Sequence, residues 1–442
     1  MILVGNGIVI TQNSENPIIY NGAIVIDNNM IKEVGDYDYL KNKYENYDFI
    51  DAKGKVIMPG LINTHHHIYS AFARGMNNRE LPPVDFNDIL DKLWWKMDKK
   101  LTLKDTKYSA YSTLIDSIKN GVTTVFDHHA SPNSIGSSLF TIAEVSKELG
   151  IRTSLCYEVS DRDGEDILNQ GISENLNFIK YANNDDTDMI RGLFGLHASF
   201  TLSDRSLDKC VNSLEGMKCG FHVHTAEGIK DQEECIKNSN MRIVERFEKF
   251  GLLGEKTLAV HCVHIDEKEM DILSRTKTNV INNPESNMGN AVGCSKVLEM
   301  LNKGIRVGMG TDGYTSDMFE SMKVFPIIQR HARQNPSVAF NETFTLLFDN
   351  NRKIASNYFS REIGILKEGA YADLIIVDYN PLTPMTKDNL YGHFLFGFTG
   401  RTVRTSIING KVVMKDRELT NIDEEEIFNR SRKVAQKLWD KM

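Results

Sequence analysis

Short β-branched runs punctuated by turn residues open the chain: Ile8-Val9-Ile10, Ala23 to Ile26 and Met30-Ile31, parted by Asn21-Gly22 and Asp27-Asn28-Asn29. Runs of this length between such turn pairs predict small antiparallel strands. The same texture returns at Ala372 to Asp378 and from Val403 to Val413, where Asn409-Gly410 divides two β-branched runs. Both ends therefore predict one β-rich domain assembled from two segments. Between them, short apolar runs alternate with longer amphipathic stretches, as in a parallel βα sheet. Eight candidate strands follow: Val56 to Met58 running on to His67, Val122 to Asp127, Thr153 to Glu158, Gly192 to His197, Phe221 to His224, Leu258 to His261, Asn279 to Asn282 and Val307 to Asp312. Each leaves room for a helix, and eight such units predict a closed (β/α)8 barrel. An open doubly wound sheet is the weaker alternative, since no G-x-G-x-x-G follows the first strand. The expected division is α/β overall. It has a TIM barrel over 58–365, a small β-sandwich domain from 1–57 and 366–420, and a C-terminal helix over 421–442 with Asp423-Glu424-Glu425-Glu426 at its start. Trp94 and Trp95 precede a helix-like stretch from Met97 to Ile118.

Composition narrows the function classes. The 442 residues carry a net charge of -8, with both signs mixed along the chain, which argues against nucleic-acid and membrane-surface partners. No apolar stretch reaches the roughly 20 residues that span a bilayer, and Met1-Ile2-Leu3-Val4-Gly5-Asn6 has no basic region, so a soluble cytoplasmic protein is expected. The six cysteines are scattered without a C-x-x-C pair, which predicts buried thiols instead of disulfides or a zinc-thiolate knuckle.

The chemistry gathers where the apolar runs end. His65 and His67 stand two apart, the spacing that puts both imidazoles on one side of a strand. His222 and His224 repeat it, with Glu227 three residues further on, within reach for proton transfer beside a metal. His261 closes another apolar run, and Asp312 closes the last between Gly310 and Gly313. Barrel enzymes place catalytic groups at the carboxyl ends of strands. Taken singly, Asp312 caps a helix, Glu227 is a solvated loop residue, and His264, His331 and His393 are assigned structural roles. Together the set amounts to three His and one Asp, with a Glu and a His nearby. Such nitrogen and oxygen donors without thiolates suit one divalent ion, Zn(II) before Fe(II). His66 points to the other side and is assigned a structural role, and His222 is assigned to packing inside the barrel.

The pattern resembles the mononuclear deaminase branch of the amidohydrolase superfamily, which includes cytosine, guanine and S-adenosylhomocysteine deaminases and triazine hydrolases. The resemblance spans P-G-L-I-N-T-H-x-H, F-H-V-H-T-A-E, A-V-H-C-V-H, N-P-E-S-N, G-T-D-G and the stretch from Gly364 to Leu374. It implies that His65, His67, His224 and Asp312 bind the metal, that Glu227 passes a proton to a ring nitrogen, and that His261 polarises the attacking oxygen. It further implies that Asp312 accepts the proton of the attacking water. No Lys ends the fourth strand, which departs from the binuclear branch. His197 is the first expected substrate contact and Ser316 another. Tyr157 and Glu158 stand where related deaminases carry arginines, favouring a compact, neutral, hydrogen-bond-donating heterocycle over an anionic tail. The stretches T-T-V-F-D-H-H-A, L-C-Y-E-V-S-D-R-D-G and G-T-D-G-Y-T-S-D-M-F-E-S resemble the SsnA subgroup, which brings Asp127, His128 and His129 near the pocket. Trp95 either stacks on a flat substrate or packs. The expected function is deamination of a purine-like heterocycle by a homo-oligomer, a dimer or larger. Ring opening of a cyclic amide and a noncatalytic assembly role are the alternatives. The cytidine-deaminase type is excluded because its H-x-E and P-C-x-x-C signature is missing.

Overall fold

The computed structural model describes residues 1–77 and 81–442. The chain opens with β1 (Ile2–Ile10), β2 (Ile18–Asp27), β3 (Met30–Asp36), β4 (Asp48–Asp51) and β5 (Val56–Pro59). Then come β6 (Leu61–His66), β7 (Val122–His129), β8 (Arg152–Tyr157), β9 (Ile190–Gly192), β10 (Phe194–Ala198), β11 (Phe221–Thr225), β12 (Leu258–His261), β13 (Asn279–Asn282) and β14 (Val307–Met309). Near the end lie β15 (Leu374–Val377), β16 (Val403–Ile408), β17 (Lys411–Lys415) and β18 (Glu418–Leu419).

The strands from β6 to β14 run parallel and are buried along nearly their whole length, which is why they read as continuous apolar runs without alternation. Hydrogen bonds link β6 through β9 in one stretch and β10 through β14 in another. The chain departs from the expected single fourth strand at Leu193: β9 pairs with β8 and β10 with β11. That seam is stitched by Val159 N–H to Gly195 O (3.2 Å) and His197 N–H to Val159 O (2.9 Å). The barrel closes where Thr311 and Asp312 donate their N–H groups to His65 O, at 3.1 and 3.0 Å.

The first expected strand is also two strands. Val56 to Pro59 belongs to the terminal sheet, and the barrel begins at Leu61. Gly60 makes the hand-over, because a Cβ there would fall 2.1 Å from Thr123 Cγ2. β5 pairs parallel with β1 and antiparallel with β15, so the strands from both chain ends form one continuous nine-stranded sheet. Its core contains Val4, Val9, Ile24, Ile57, Leu374 and Ile407.

The stretch read as one helix from Met97 to Ile118 is interrupted. A capping box, with Thr102 Oγ1 accepting from Asp105 N–H and Asp105 Oδ2 accepting from Thr102 N–H, starts a fresh helix over Leu103–Lys119. The terminal helix Glu424–Trp439 lies on it, buries Val434 and Leu438, and ties Trp439 Nε1–H to Phe72 O at 2.7 Å. Among the described residues, no helix is long and apolar enough to cross a membrane.

Sheet and barrel are joined by a buried ion pair. Arg152, at the start of β8, donates from Nε to Asp373 Oδ2 at 3.0 Å and lies over the Tyr371 ring at 4.5 Å. Both side chains are fully buried. Removing one partner of such a pair strands the other charge, so Arg152→Ala should cost about 3–5 kcal/mol in chemical denaturation. A loss below about 1 kcal/mol would show that Asp373 does not depend on Arg152.

Candidate metal centre and active-site cleft

His65 and His67 sit at the carboxyl end of β6 and face the barrel axis, while His66 faces away and meets Thr311 Oγ1 through Nδ1 at 3.0 Å. β11 delivers His224 beside them. His67 Nδ1–H donates to His128 O (2.6 Å) and His224 Nδ1–H to His197 O (2.9 Å). A carbonyl only accepts, so each neutral ring keeps its proton on Nδ1 and leaves a bare lone pair on Nε2. Those two Nε2 atoms are 3.2 Å apart. Asp312 Oδ1 lies 3.2 Å from His67 Nε2 and 3.7 Å from His65 Nε2. His65 Nε2 is buried and has no hydrogen-bond partner. Lone pairs held this close repel unless a cation lies among them, and donors around a tetrahedral zinc stand roughly 3.3 Å apart. The nitrogen and oxygen donors of this cluster therefore fit one divalent cation.

Electrostatics agree with that reading. Burial pushes His65 and His224 well below the ordinary imidazole range, toward the neutral form that can ligate. Ser286 Oγ–H (2.6 Å) and Gly313 N–H (2.7 Å) donate to the two Asp312 oxygens. Glu227 goes the other way. Burial, and then the negative charge of Asp312, push it well above the carboxylate range, although Asn290 Nδ2–H donates to it at 3.2 Å. Glu227 Oε2 is 3.4 Å from His261 Nε2, whose other nitrogen faces Asn287 Oδ1 at 2.8 Å. Ala226, His261, Cys262 and Asp312 all have positive φ, between 49° and 72°. Four such non-glycine residues around one cluster are strain held by the surrounding structure, a recurrent mark of functional sites.

The cluster forms the floor of a cleft of about 880 Å³, open solvent at its mouth included. Of the expected substrate contacts, His197 and Trp95 line it. Tyr157, His129 and Ser316 do not. Strand alternation turns Tyr157 outward against Gly171 while Cys156 faces the axis, and the same alternation on β7 turns His129 toward Ser131 Oγ (3.0 Å) and leaves His128 inside. Beyond Tyr314 the chain leaves the cleft, so Ser316 lines a separate cavity with His66 and Arg74.

Among the cleft carboxyl groups, Asp98 and Asp231 went unread in the sequence. Asp98 lines the cleft with a buried, unpartnered Oδ1, and Trp95 presents an unpartnered Nε1–H. Glu158 lines it as well. An arginine does follow the third barrel strand after all, four residues past Glu158. Arg162 pairs with Glu158 and lies 4.8 Å over the Trp95 ring, outside the cleft lining. His222 is more than packing: its Nε2 is 2.8 Å from His65 Nδ1. The first histidine of the H-x-H pair, sharing the inward face with His224, was the available signal.

Comparison with known proteins matches this architecture. The chain is 32% identical to a 5-methylthioadenosine/S-adenosylhomocysteine deaminase of Halothermothrix orenii, over 99% of each chain. It is 29% identical to a 5'-deoxyadenosine deaminase of Methanosarcina mazei, covering 99% of this chain and 98% of that one. A zinc-bound adenosine deaminase structure from Xanthomonas campestris superimposes with a TM-score of 0.88 at 19% identity, covering 99% and 98%. The sequence profile of the amidohydrolase family matches residues 56–413, a span that takes in every barrel strand and the metal cluster at their ends, and the chain belongs to that family.

Proposed function

We propose that this protein is a zinc-dependent deaminase of neutral, purine-type N-heterocycles, with His65, His67, His224 and Asp312 as ligands. The observation that carries this reading is a buried Glu227 set 3.4 Å from His261 Nε2 beside the paired lone pairs of His67 and His224, where burial pushes its carboxyl toward the acid form. When bound, the cation supplies Lewis acidity that brings the pKa of a coordinated water from about 16 toward neutrality. Asp312, ionised and braced by Ser286 and Gly313, takes the proton of the attacking water. Glu227 delivers its proton to the ring nitrogen beside the carbon under attack. His261, its Nδ1–H held by Asn287, turns Nε2 toward the attacking oxygen. The proton held by Asp312 then passes to the amino group as the C–N bond breaks and ammonia leaves, and the hydroxyl proton returns to Glu227 as the C=O bond forms.

Substrate class follows from the walls. Five carboxyl side chains (Asp98, Glu158, Glu227, Asp231 and Asp312) and several aromatic rings line the cleft, and among the described residues no Lys or Arg does. An anionic tail would be desolvated there without a partner. The names of the relatives support an adenosine-type ring. In an ammonia-release screen over purines, pyrimidines and nucleosides, 5'-deoxyadenosine or 5-methylthioadenosine should exceed S-adenosylhomocysteine in kcat/KM by at least about tenfold, the equivalent of about 1.4 kcal/mol. Equal turnover of S-adenosylhomocysteine would overturn the neutral-substrate reading.

A further inference from the structure

We propose that His222 and Cys156 fix the tautomer of His65 and so hold its Nε2 lone pair open to the cation, an inference that rests on His65 being a ligand as read above. Four buried groups stand in a row behind the metal cluster. Cys156 Sγ lies 3.3 Å from Asp127 O and 3.6 Å from His222 Nδ1, and His222 Nε2 lies 2.8 Å from His65 Nδ1. Cys156, His222 and His65 are all fully inaccessible to solvent, so bulk water does not set their protons.

The direction of this row is decided at its far end. The Asp127 carbonyl can only accept, so the Cys156 S–H points at it and the sulfur turns a lone pair toward His222. His222 Nδ1 must then be the donor to sulfur, which leaves His222 Nε2 as an acceptor. It can accept only from His65 Nδ1–H, and a neutral His65 protonated on Nδ1 has a bare Nε2. That atom is the one that faces Asp312 without a hydrogen-bond partner. The reversed row would place a proton on His65 Nε2, aimed into the cluster, and would remove a ligand. Metal-bound histidines usually receive this service from a carbonyl or carboxylate. Here an imidazole and a thiol provide it, and the H-x-H spacing on β11 supplies a ligand in His224 and the orienting group for its neighbour in His222.

The test uses the full-length protein, chelator competition for zinc, and ¹⁵N NMR of the histidine rings in the zinc-loaded wild type. The expected spectrum has His222 protonated on Nδ1. His222→Leu, which leaves His65 Nδ1–H without an acceptor, should weaken zinc binding by about 10–100-fold. His222→Gln should recover most of that loss, because its side-chain carbonyl can accept from His65. Cys156→Ser should bind zinc more tightly than Cys156→Ala, because only the hydroxyl can relay the same direction. A wild-type His222 protonated on Nε2 would overturn the proposal, and so would undiminished zinc affinity in a folded His222→Leu. Should His222→Leu fail to fold, the wild-type spectrum still decides. His65→Ala separates the two layers: if it keeps full zinc affinity the ligand assignment fails, whereas loss in His65→Ala with none in His222→Leu sinks only the tautomer role.

Discussion

Glu227→Gln is expected to lower kcat/KM by about three orders of magnitude while leaving metal content unchanged. Glutamine matches glutamate in size, and its Oε1 can still accept from Asn290, which lies 3.2 Å from the native oxygen. The cleft wall and the hydrogen bond survive. The amide, however, cannot release a proton to a ring nitrogen or regain one. Burial and the facing charge of Asp312 push the native carboxyl well above the carboxylate range, toward the acid form that can give a proton, and the substitution removes that proton donor selectively. Ammonia release under saturating and limiting substrate, paired with elemental analysis of the same preparation, measures both sides. Turnover within tenfold of wild type would end the proton-shuttle assignment, and a fall in metal content would make Glu227 a ligand instead.

Much of this site was legible before any coordinates because a parallel barrel strand is buried on both faces. An ionisable residue closing such a run has little structural reason to be there unless it has a partner. That argument found His65, His67, His224, His261 and Asp312, and the structure brings all five together. The errors came from facing and from strand ends. The family resemblance that placed Tyr157 and His129 at the cleft carries no facing, and strand alternation gives the inward positions to Cys156 and His128. The division at Gly60 was marked locally by the Pro59-Gly60 break, while the contact that demands a glycine there, with Thr123, lies far along the chain. The same holds for the bond between Arg152 and Asp373, which are separated by 221 positions. His222 was underread because an inward histidine one pleat below a ligand resembles filler until its ring nitrogens can be paired.

Removing the cation, by chelator or through His67→Ala, should reduce ammonia release below about 1% of wild type, since the chemistry loses its Lewis acid. His67 is the sharpest single position. Its Nε2 lies 3.2 Å from both His224 Nε2 and Asp312 Oδ1, and its Nδ1 is already committed to His128 O. Deleting the ring therefore removes a donor for which no neighbouring side chain can substitute. Stability should fall as well, because a cation bound at 1,000 times its dissociation constant contributes about 4 kcal/mol to the folded state. With an unfolding entropy of about 2 cal/mol/K per residue over 442 residues, that corresponds to a drop in Tm on the order of 4 °C. Zinc added back should restore activity and Tm to the chelated wild type and neither to His67→Ala. If chelated protein, shown free of metal by elemental analysis, still deaminates at the wild-type rate, the lone pairs crowded at the end of β6 serve some purpose other than holding a catalytic cation, and the proposed mechanism falls with them.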